Sequence, residues 1–284
     1  MKDILSLMRI KHYIKNLLIF LPLFFSGSFM NGELVVTNII GFISFCLLTS
    51  TIYIFNDICD ANKDRLHTTK CNRPIAAGRI SKRTAILLIV ILLSISVLLA
   101  LNIFSGNIYV FVIMFSYLIL NILYSIKLKN IPIIDVSIIV AGFILRLIFG
   151  GVISNIPISN WLYLTVIAIS FYMGYGKRRN EIMMQKEGTR KVLENYSYEF
   201  LDKNMHMSSA LAIIFYALWC VENSTKYAIN LVYSVPLVML IVMKYSLDIE
   251  RKSDGDPVNV ILNDKWLMLL TVLYGILLIF EIYC

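Results

Sequence analysis

The sequence predicts an all-α membrane protein with nine transmembrane helices around a polar cavity that faces the cytoplasm. Three observations lead to this prediction. Of the 284 residues, 58% are hydrophobic, and the mean hydropathy is +0.76. Nine apolar segments are long enough to cross a bilayer. The basic residues are concentrated in alternate loops between those segments.

The predicted spans follow one another along the whole chain. The first contains Pro22 and Gly27 and lacks the small-residue cleavage site of a secretory signal, so we interpret it as a retained span. We expect residues 1–284 to form a single integral-membrane domain. The spans cover approximately residues 14–30, 36–56, 84–104, 107–126, 132–151, 160–176, 207–223, 229–247 and 265–283.

The distribution of positive charge predicts the orientation. On the side shared by the N-terminus and the loops after even-numbered spans lie 24 of the 26 Lys and Arg residues. Because cytoplasmic loops carry the excess of Lys and Arg, we expect the N-terminus and the two long polar loops, 57–83 and 177–206, to face the cytoplasm from the inner (plasma) membrane. Topology thus explains the net charge of +8 and gives no reason to expect a nucleic-acid partner.

Three carboxylates open the first long loop. Asp57, Asp60 and Asp64 are spaced at i, i+3 and i+7, so on a helix they fall within about 60° of one another. Carboxylate oxygens suit Mg²⁺, which shares its remaining positions with water and substrate phosphates. We therefore predict a metal site at these residues with Asn56 as an added ligand and Tyr53 one turn away. The alternative is a helix end that becomes charged as it leaves the membrane.

Basic residues follow the carboxylates closely. Lys70 and Arg73 lie in a segment whose Pro74 and Gly78 indicate a shaped loop, and both could bind phosphate beside the metal. The positive-inside rule alone would also place basic residues here. Lys15 and Lys129, at the edges of other spans, could be interfacial anchors and are weak candidates when each is taken alone.

One arginine lies inside a predicted span. An Arg at the bilayer centre costs about 3 kcal/mol on insertion scales, so such residues usually face a polar cavity. Arg146 is expected to point toward the metal side because helical side chains lean toward the N-terminus. An anionic ligand is the favoured interpretation, and a structural partner such as Glu222 is the alternative.

The second long loop begins with three adjacent cations, Lys177, Arg178 and Arg179, followed by Glu181. They could bind an anionic substrate. Topology could equally produce the cations, and the Lys177–Glu181 pair could be an ordinary i,i+4 contact. The sequence does not decide between these interpretations. The two long loops also suggest two related halves that face a common cavity, although they share no clear sequence identity.

The five cysteines form no metal-binding pattern. They are odd in number, scattered, and without a C-x-x-C pair, so zinc is not expected. A structural disulfide is not expected for Cys59 and Cys71, since their predicted side of the membrane is reducing.

Taken together, these residues resemble the UbiA superfamily of intramembrane prenyltransferases. The shared features are nine helices, an N-D-x-x-D-x-x-x-D motif that starts at Asn56, and a Y-S-x-x-L-K segment that starts at Tyr124. Further segments resemble the branch of decaprenyl-phosphate phosphoribosyltransferases. They are Lys15-Asn16, Asp64-Arg65-Leu66-His67, Arg73-Pro74-Ile75-Ala76-Ala77-Gly78, Leu145-Arg146, Gly150-Gly151, Gly176-Lys177-Arg178 with Glu181, and Gly255-Asp256-Pro257.

Two positions depart from the pattern of the resemblance. Thr68 stands where that branch commonly has Pro, which should alter the stiffness of the loop more than its chemistry. The second loop lacks the Asp-rich motif with which typical aromatic prenyltransferases hold a second metal, and Lys177, Arg178 and Arg179 stand there instead. This difference suits a second anionic substrate better than a second Mg²⁺.

The resemblance implies a Mg²⁺-dependent enzyme that transfers 5-phosphoribose from phosphoribosyl diphosphate (PRPP) to a polyprenyl phosphate, with release of diphosphate. Lys15, Tyr53, Lys70, Arg73, Lys129 and Arg146 would then surround PRPP, and Lys177, Arg178 and Glu181 would lie at the lipid phosphate or the sugar 5-phosphate. The product would feed cell-envelope polysaccharide. The alternative is a UbiA-type transfer of a prenyl group from a prenyl diphosphate to a small acceptor. The sequence leaves the oligomeric state open, and a homo-oligomer is compatible with it.

Overall fold

The computed structural model describes residues 2–66, 70–104, 106–184, 191–223, 231–250 and 257–283. Within these ranges the chain forms α-helices and short 3₁₀ helices, and none of these residues lies in a β-strand, which confirms the all-α prediction. The α-helices are α1 (Lys2–Met8), α2 (Leu21–Phe25), α3 (Gly32–Asp64), α4 (Lys82–Phe104), α5 (Ile108–Ile126), α6 (Ile134–Ser154), α7 (Asn160–Met183), α8 (Tyr198–Asn223), α9 (Val235–Glu250), α10 (Pro257–Asn263) and α11 (Lys265–Tyr283). The 3₁₀ helices are Ile10–Phe20, Ser28–Met30, Lys70–Asn72, Leu128–Asn130, Lys191–Asn195 and Leu231–Ser234.

Seven helices in the described part of the chain are long and apolar enough to cross a membrane: α3, α4, α5, α6, α8, α11 and the continuous helix Leu231–Glu250. The first predicted span is divided between the 3₁₀ helix Ile10–Phe20 and α2, with Pro22 in the first turn of α2. The sixth lies in α7, whose C-terminal part carries the cations 177–179. The number nine therefore remains a prediction.

Asparagine side chains set the starts of two spanning helices. Oδ1 of Asn31 accepts hydrogen bonds from the backbone N–H groups of Glu33 (3.1 Å) and Leu34 (3.3 Å) at the start of α3. Asn107 accepts one from Tyr109 (3.1 Å) at the start of α5. These bonds satisfy N–H groups that have no partner within the helix, which is why Asn is favoured at this position.

The length of α3 places the acidic residues. Its 33 residues correspond to about 50 Å, whereas the hydrocarbon core of a bilayer is about 30 Å thick. The helix therefore continues past its apolar segment, and Asp57, Asp60 and Asp64 lie in this extension. The prediction that the three acids share a helix is confirmed.

The chain divides into two compact units, residues 1–131 with 145–157, and residues 132–144 with 158–284. In the first unit, Phe45, Leu48 and Phe149 belong to a buried apolar core. In the second unit, α7 packs along α8, and α8 packs against α9. Residues 134–144 of α6 are assigned to the second unit and residues 145–154 to the first.

Two glycines permit close helix packing in the first unit. A Cβ atom at Gly150 of α6 would lie 2.0 Å from the backbone oxygen of Ile19, and one at Gly41 of α3 would lie 2.5 Å from Cδ1 of Ile153. A flexible side chain could move away from Gly41, but the backbone at Ile19 cannot do so cheaply. Gly150 therefore lets α6 approach the Ile10–Phe20 segment directly.

We expect Gly150→Ala to destabilise the protein by about 1–3 kcal/mol, because the added methyl group overpacks a backbone contact. Gly275→Ala in α11 is the matched control, since nothing lies within 4 Å of a Cβ atom at that glycine. Thermal unfolding of the two variants in detergent measures the difference. Equal melting temperatures would show that the contact at Ile19 is not restrictive.

Candidate functional site

Every carboxylate of the acidic face on α3 contacts a basic side chain. Asp57 and Asp64 are buried, with 3% and 4% of their surfaces exposed, and Asp60 is more accessible. The partners are Arg9, Arg73 and Lys129. All of these residues belong to the first unit. Because burial of an unpaired charge is costly, this pairing is what allows the acids to lie inside the protein.

Arg73 bridges two of the carboxylates. Its Nη1 atom lies 3.2 Å from Oδ1 of Asp57 and 2.7 Å from Oδ2 of Asp64. The predicted shaped loop positions it, since the backbone N–H of Ala77 donates to the carbonyl of Arg73 (2.8 Å). Gly78 supplies the positive φ of 73° that this turn requires. The oxygens of Asp57 and Asp64 therefore face one point, and a cationic nitrogen lies there.

Lys129 contacts the remaining carboxylate. Its Nζ atom lies 2.7 Å and 2.9 Å from the two oxygens of Asp60. The 3₁₀ helix Leu128–Asn130, which follows α5, carries the lysine to this position. The sequence suggested Lys129 only as a weak candidate, and the structure brings it to the acidic face.

Arg9 is a member of the cluster that the sequence analysis missed. Its Nη2 atom lies 2.5 Å from Oδ1 of Asp57, and its guanidinium carbon lies 5.1 Å from the ring centre of Tyr53. The backbone of Arg9 is left-handed, with φ 54°, which costs a non-glycine residue roughly 1 kcal/mol. In the sequence, Arg9 was hidden among the N-terminal cations that topology explains.

The carboxylates of the cluster offer ligands for a divalent cation, but basic side chains contact them. Across the described ranges, no group of three or more His, Cys, Asp or Glu side chains is arranged to hold a metal. The predicted four-ligand set is not assembled around one point, because Asp60 is directed to Lys129 while Asp57 and Asp64 share Arg73. Those two carboxylates do converge on a cation, and their oxygens are donors that Mg²⁺ prefers. The donor set therefore fits Mg²⁺ if the basic side chains release it.

Arg146 lies within a polar cluster inside the first unit. Its Nε atom donates to Oδ1 of Asn16 (2.7 Å), and its Nη2 atom donates to the hydroxyl of Tyr117 (2.6 Å). The rings of Tyr117 and Phe45 lie 4.8 Å and 5.5 Å from its guanidinium carbon. Asn16 also contacts the Sγ atom of Cys46 (3.1 Å). Arg146 is thus surrounded by polar and aromatic groups, as expected for a charged residue in a span.

Arg178 lies in a separate buried network in the second unit. It is only 1% exposed, and it contacts Asp135 (Nε to Oδ2, 2.7 Å) and Glu181 (Nη1 to Oε2, 2.9 Å). Tyr196 donates to Oδ1 of Asp135 at 2.7 Å. Burial and this hydrogen bond raise the pKa of Tyr196 above its usual range, so the phenol keeps its proton. The sequence suggested an anionic substrate for Arg178, whereas the structure gives it two carboxylates of the chain.

Arg179 is also held within the second unit. It contacts Asp202 (2.9 Å) and Glu250 (3.2 Å), and its guanidinium carbon lies 4.9 Å from the ring centre of Tyr198. These contacts connect α7 with α8 and α9. Lys177 is partly buried on α7, as are Lys15 and Lys70 in the first unit.

Parts of the sequence pattern lie outside the described residues. They are positions 67–69, which include Thr68, and the Gly255-Asp256 segment. Asn56 is partly buried on α3 beside Asp57.

Comparison with known proteins identifies the class. The sequence profile of the UbiA prenyltransferase family matches residues 19–263, so the chain belongs to this family. Together with its apolar helices, this makes the chain a multi-pass membrane protein. Among its relatives are two proteins named decaprenyl-phosphate phosphoribosyltransferase. The one from Mycolicibacterium smegmatis is 31% identical, over 94% of this chain and 88% of the relative, and the one from Corynebacterium glutamicum is 31% identical, over 97% and 85%.

Solved structures support the same fold. A UbiA homologue from Archaeoglobus fulgidus bound to DMAPP and Mg²⁺ superimposes with a TM-score of 0.73 at 21% identity, and the match covers 98% of this chain and 99% of that one. The structure of the same homologue with GPP and Mg²⁺ gives a TM-score of 0.72 with the same identity and coverage. The UbiA-like fold expected from the sequence is therefore confirmed.

We expect Asp135→Asn to destabilise the protein by about 3 kcal/mol, because it removes one charge from a fully buried ion pair. The matched control is Asp3→Asn, since Asp3 forms an exposed pair with Arg79 and should contribute less than about 1 kcal/mol. Thermal or chemical unfolding compares the two variants. Similar losses in both would contradict a structural role for the Asp135–Arg178 pair.

Proposed function

We propose that this protein transfers 5-phosphoribose from PRPP to a polyprenyl phosphate of decaprenyl type and releases diphosphate. The observation that carries the proposal is the 31% identity, over nearly the whole chain, to relatives named decaprenyl-phosphate phosphoribosyltransferase. The site lies, on this proposal, on the cytoplasmic side of the inner membrane, where PRPP is available. The product would serve cell-envelope polysaccharide synthesis.

The cluster at the end of α3 suits the leaving group of this reaction. Diphosphate is strongly anionic, and Arg9, Arg73 and Lys129 supply donors for charge-assisted hydrogen bonds. Asp57, Asp60 and Asp64, with Asn56, would hold Mg²⁺ once the basic side chains release them, and homologues of this fold have been solved with Mg²⁺ bound. When bound, Mg²⁺ would neutralise the charge that develops on the diphosphate. Lys70 lies on the same loop as Arg73 and would contact the phosphates.

The bond changes require charge stabilisation more than proton transfer. The bond between C1 of the ribose and the diphosphate oxygen breaks, and the diphosphate keeps the electron pair. An oxygen of the lipid phosphate then bonds to C1, which is oxocarbenium-like in the transition state. Because the lipid phosphate is already an anion, no strong general base is needed. Positioning and electrostatics should supply most of the rate.

The remaining predicted residues take supporting roles in this proposal. Arg146, which Asn16 and Tyr117 orient, would bind a phosphate of PRPP, with Lys15 and Tyr53 nearby. Lys177 would bind the lipid phosphate or the sugar 5-phosphate. Arg178 and Glu181 would act at that place through their network with Asp135, which fixes the end of α7.

The second candidate function is a prenyl transfer from a prenyl diphosphate to an aromatic or other small acceptor. It is favoured by the structural match to homologues bound to GPP and DMAPP. Both reactions release diphosphate, so the cluster on α3 fits either one. The two candidates differ in the carbon that is transferred, which an assay can distinguish.

The test is an assay of purified protein in detergent with Mg²⁺, PRPP and decaprenyl phosphate. We expect a lipid-linked phosphoribose that can be detected by mass spectrometry, and we expect no product after EDTA treatment until Mg²⁺ is restored. A parallel reaction with geranyl diphosphate and 4-hydroxybenzoate should give no product. Turnover of geranyl diphosphate by folded protein that leaves PRPP unchanged would favour the second candidate.

A substitution at Lys129 tests its proposed contact with the leaving group. We expect Lys129→Gln to lower kcat/KM for PRPP by about 10²-fold, because it removes a charge-assisted contact at the leaving group. The control is Lys127→Gln, which removes an exposed charge two residues away and should change kcat/KM less than about twofold. Initial rates at varied PRPP and saturating lipid measure both. Equal losses of kcat/KM in the two variants would mean that general surface charge, rather than the contact of Lys129 with the leaving group, determines the rate.

A further inference from the structure

Arg9 reaches the acidic cluster at the cost of a strained backbone. Its left-handed conformation, φ 54° and ψ 50°, lies between α1 and the 3₁₀ helix Ile10–Phe20. Neighbouring contacts hold the strained residue in place, since the hydroxyl of Ser50 donates to the carbonyl of Met8 (3.1 Å) and the side chain of Leu7 is fully buried. Non-glycine residues in this conformation are concentrated at functional sites. The strained backbone of Arg9 therefore indicates a functional role for its side chain.

Two guanidinium groups converge on a single oxygen. Oδ1 of Asp57 lies 2.5 Å from Nη2 of Arg9 and 3.2 Å from Nη1 of Arg73. Two such donors occupy the hydrogen-bonding capacity of that oxygen. A divalent cation that binds the same atom has to displace one of them. The displaced guanidinium then needs another anion, since two cations so close together repel each other.

We propose that Arg9 is a diphosphate-binding residue whose guanidinium exchanges partners, from Asp57 to the diphosphate, when a divalent cation takes the Asp57 carboxylate. Arg73 gives up only its longer contact with Asp57 (3.2 Å) in this exchange and keeps the shorter one with Asp64 (2.7 Å). Arg9 is carried by a separate segment at the N-terminus, and within the described part of the chain the acid that it pairs with is Asp57. It is thus the cation of the pair that can leave at the smaller cost.

This exchange makes the binding of metal and the binding of diphosphate cooperative. A cation that binds Oδ1 of Asp57 competes with Arg9 for that atom, and diphosphate alone approaches a cluster of carboxylates. When both bind, the cation neutralises the carboxylates that repel diphosphate, and diphosphate binds the Arg9 guanidinium that the cation displaces. Couplings of this kind change affinities by roughly 5–150-fold.

The inference rests on the diphosphate chemistry of the proposed function and not on the sugar. It holds equally for a sugar diphosphate and for a prenyl diphosphate. A binding experiment with inorganic diphosphate and Mn²⁺, in place of Mg²⁺, therefore tests it separately from catalysis. The full-length chain is used in detergent, with no PRPP or lipid present.

Two affinities are measured for the unmodified protein, Arg9→Gln and Lys11→Gln. The first is the affinity for Mn²⁺ alone, from the electron paramagnetic resonance signal of free Mn²⁺. The second is the affinity for the Mn²⁺–diphosphate complex, from calorimetry with a fixed excess of Mn²⁺. Lys11→Gln is the matched control, because Lys11 is an exposed cation of the same segment.

We expect Arg9→Gln to move the two affinities in opposite directions. Binding of Mn²⁺ alone should become about 5–10-fold tighter, and binding of the complex should become about tenfold weaker. Lys11→Gln should change both less than about twofold. Arg9→Lys keeps the charge but loses the fork of donors, so its affinity for the complex should lie between those of the unmodified protein and Arg9→Gln.

Several outcomes would overturn the inference. If both affinities fall together in Arg9→Gln while its melting temperature is unchanged, Arg9 has only an organising role. If binding of Mn²⁺ tightens and the complex binds as before, Arg9 does not contact diphosphate. If Arg9→Gln does not fold, Arg9→Lys decides, and unchanged affinity for the complex in that variant counts against the proposal. Absence of phosphoribosyl transfer with the expected pair of shifts intact would reject only the sugar chemistry.

Discussion

The buried carboxylate of Asp57 is the constraint on which the first unit depends. A carboxylate that is 3% exposed is tolerated only with cationic partners. Asp57 obtains them from two distant parts of the sequence, Arg9 in the N-terminal segment and Arg73 in the first long loop. The left-handed turn at Arg9 and the glycine turn at Gly78 follow from this requirement, since each brings one of these arginines to α3. One charge thereby fixes the course of two segments.

The second unit also pairs a buried carboxylate with an arginine, but there the arginine is buried as well. Asp135 is fully buried, and it holds Arg178 and Tyr196. An arginine that is itself buried beside a carboxylate holds the chain around it in place, whereas an arginine whose own side chain is partly exposed can exchange a buried acid for a ligand. Arg9 and Arg73, with side chains 21% and 27% exposed, belong to the second kind, and Arg178, at 1%, belongs to the first.

The sequence predicted most of the helices and the position of the acidic face, because both depend on local periodicity. Asp57, Asp60 and Asp64 lie on one helix face as their spacing requires. The partners of the acids were harder to predict, because contacts between residues 9 and 57, or 60 and 129, depend on the tertiary fold. The role of Arg178 could not be predicted for the same reason. Its sequence context indicates a cation at a membrane surface, whereas its contact with the buried Asp135, which lies 43 positions earlier, shows a structural role. The aspartate bridge by Arg73 was likewise invisible, although the loop that forms it was correctly predicted.

The bridge formed by Arg73 also restricts insertions and deletions in the helical segment between Asp57 and Asp64. Asp57 and Asp64 reach one nitrogen because they lie seven positions apart on the helix, which is nearly two full turns. Insertion of one residue between them would rotate Asp64 by about 100° around the helix axis and move it about 1.5 Å along that axis. A single guanidinium could then no longer contact both acids. In this segment the number of residues is thus as strongly constrained as their identity, and even an insertion of alanine, the best helix former, would be damaging.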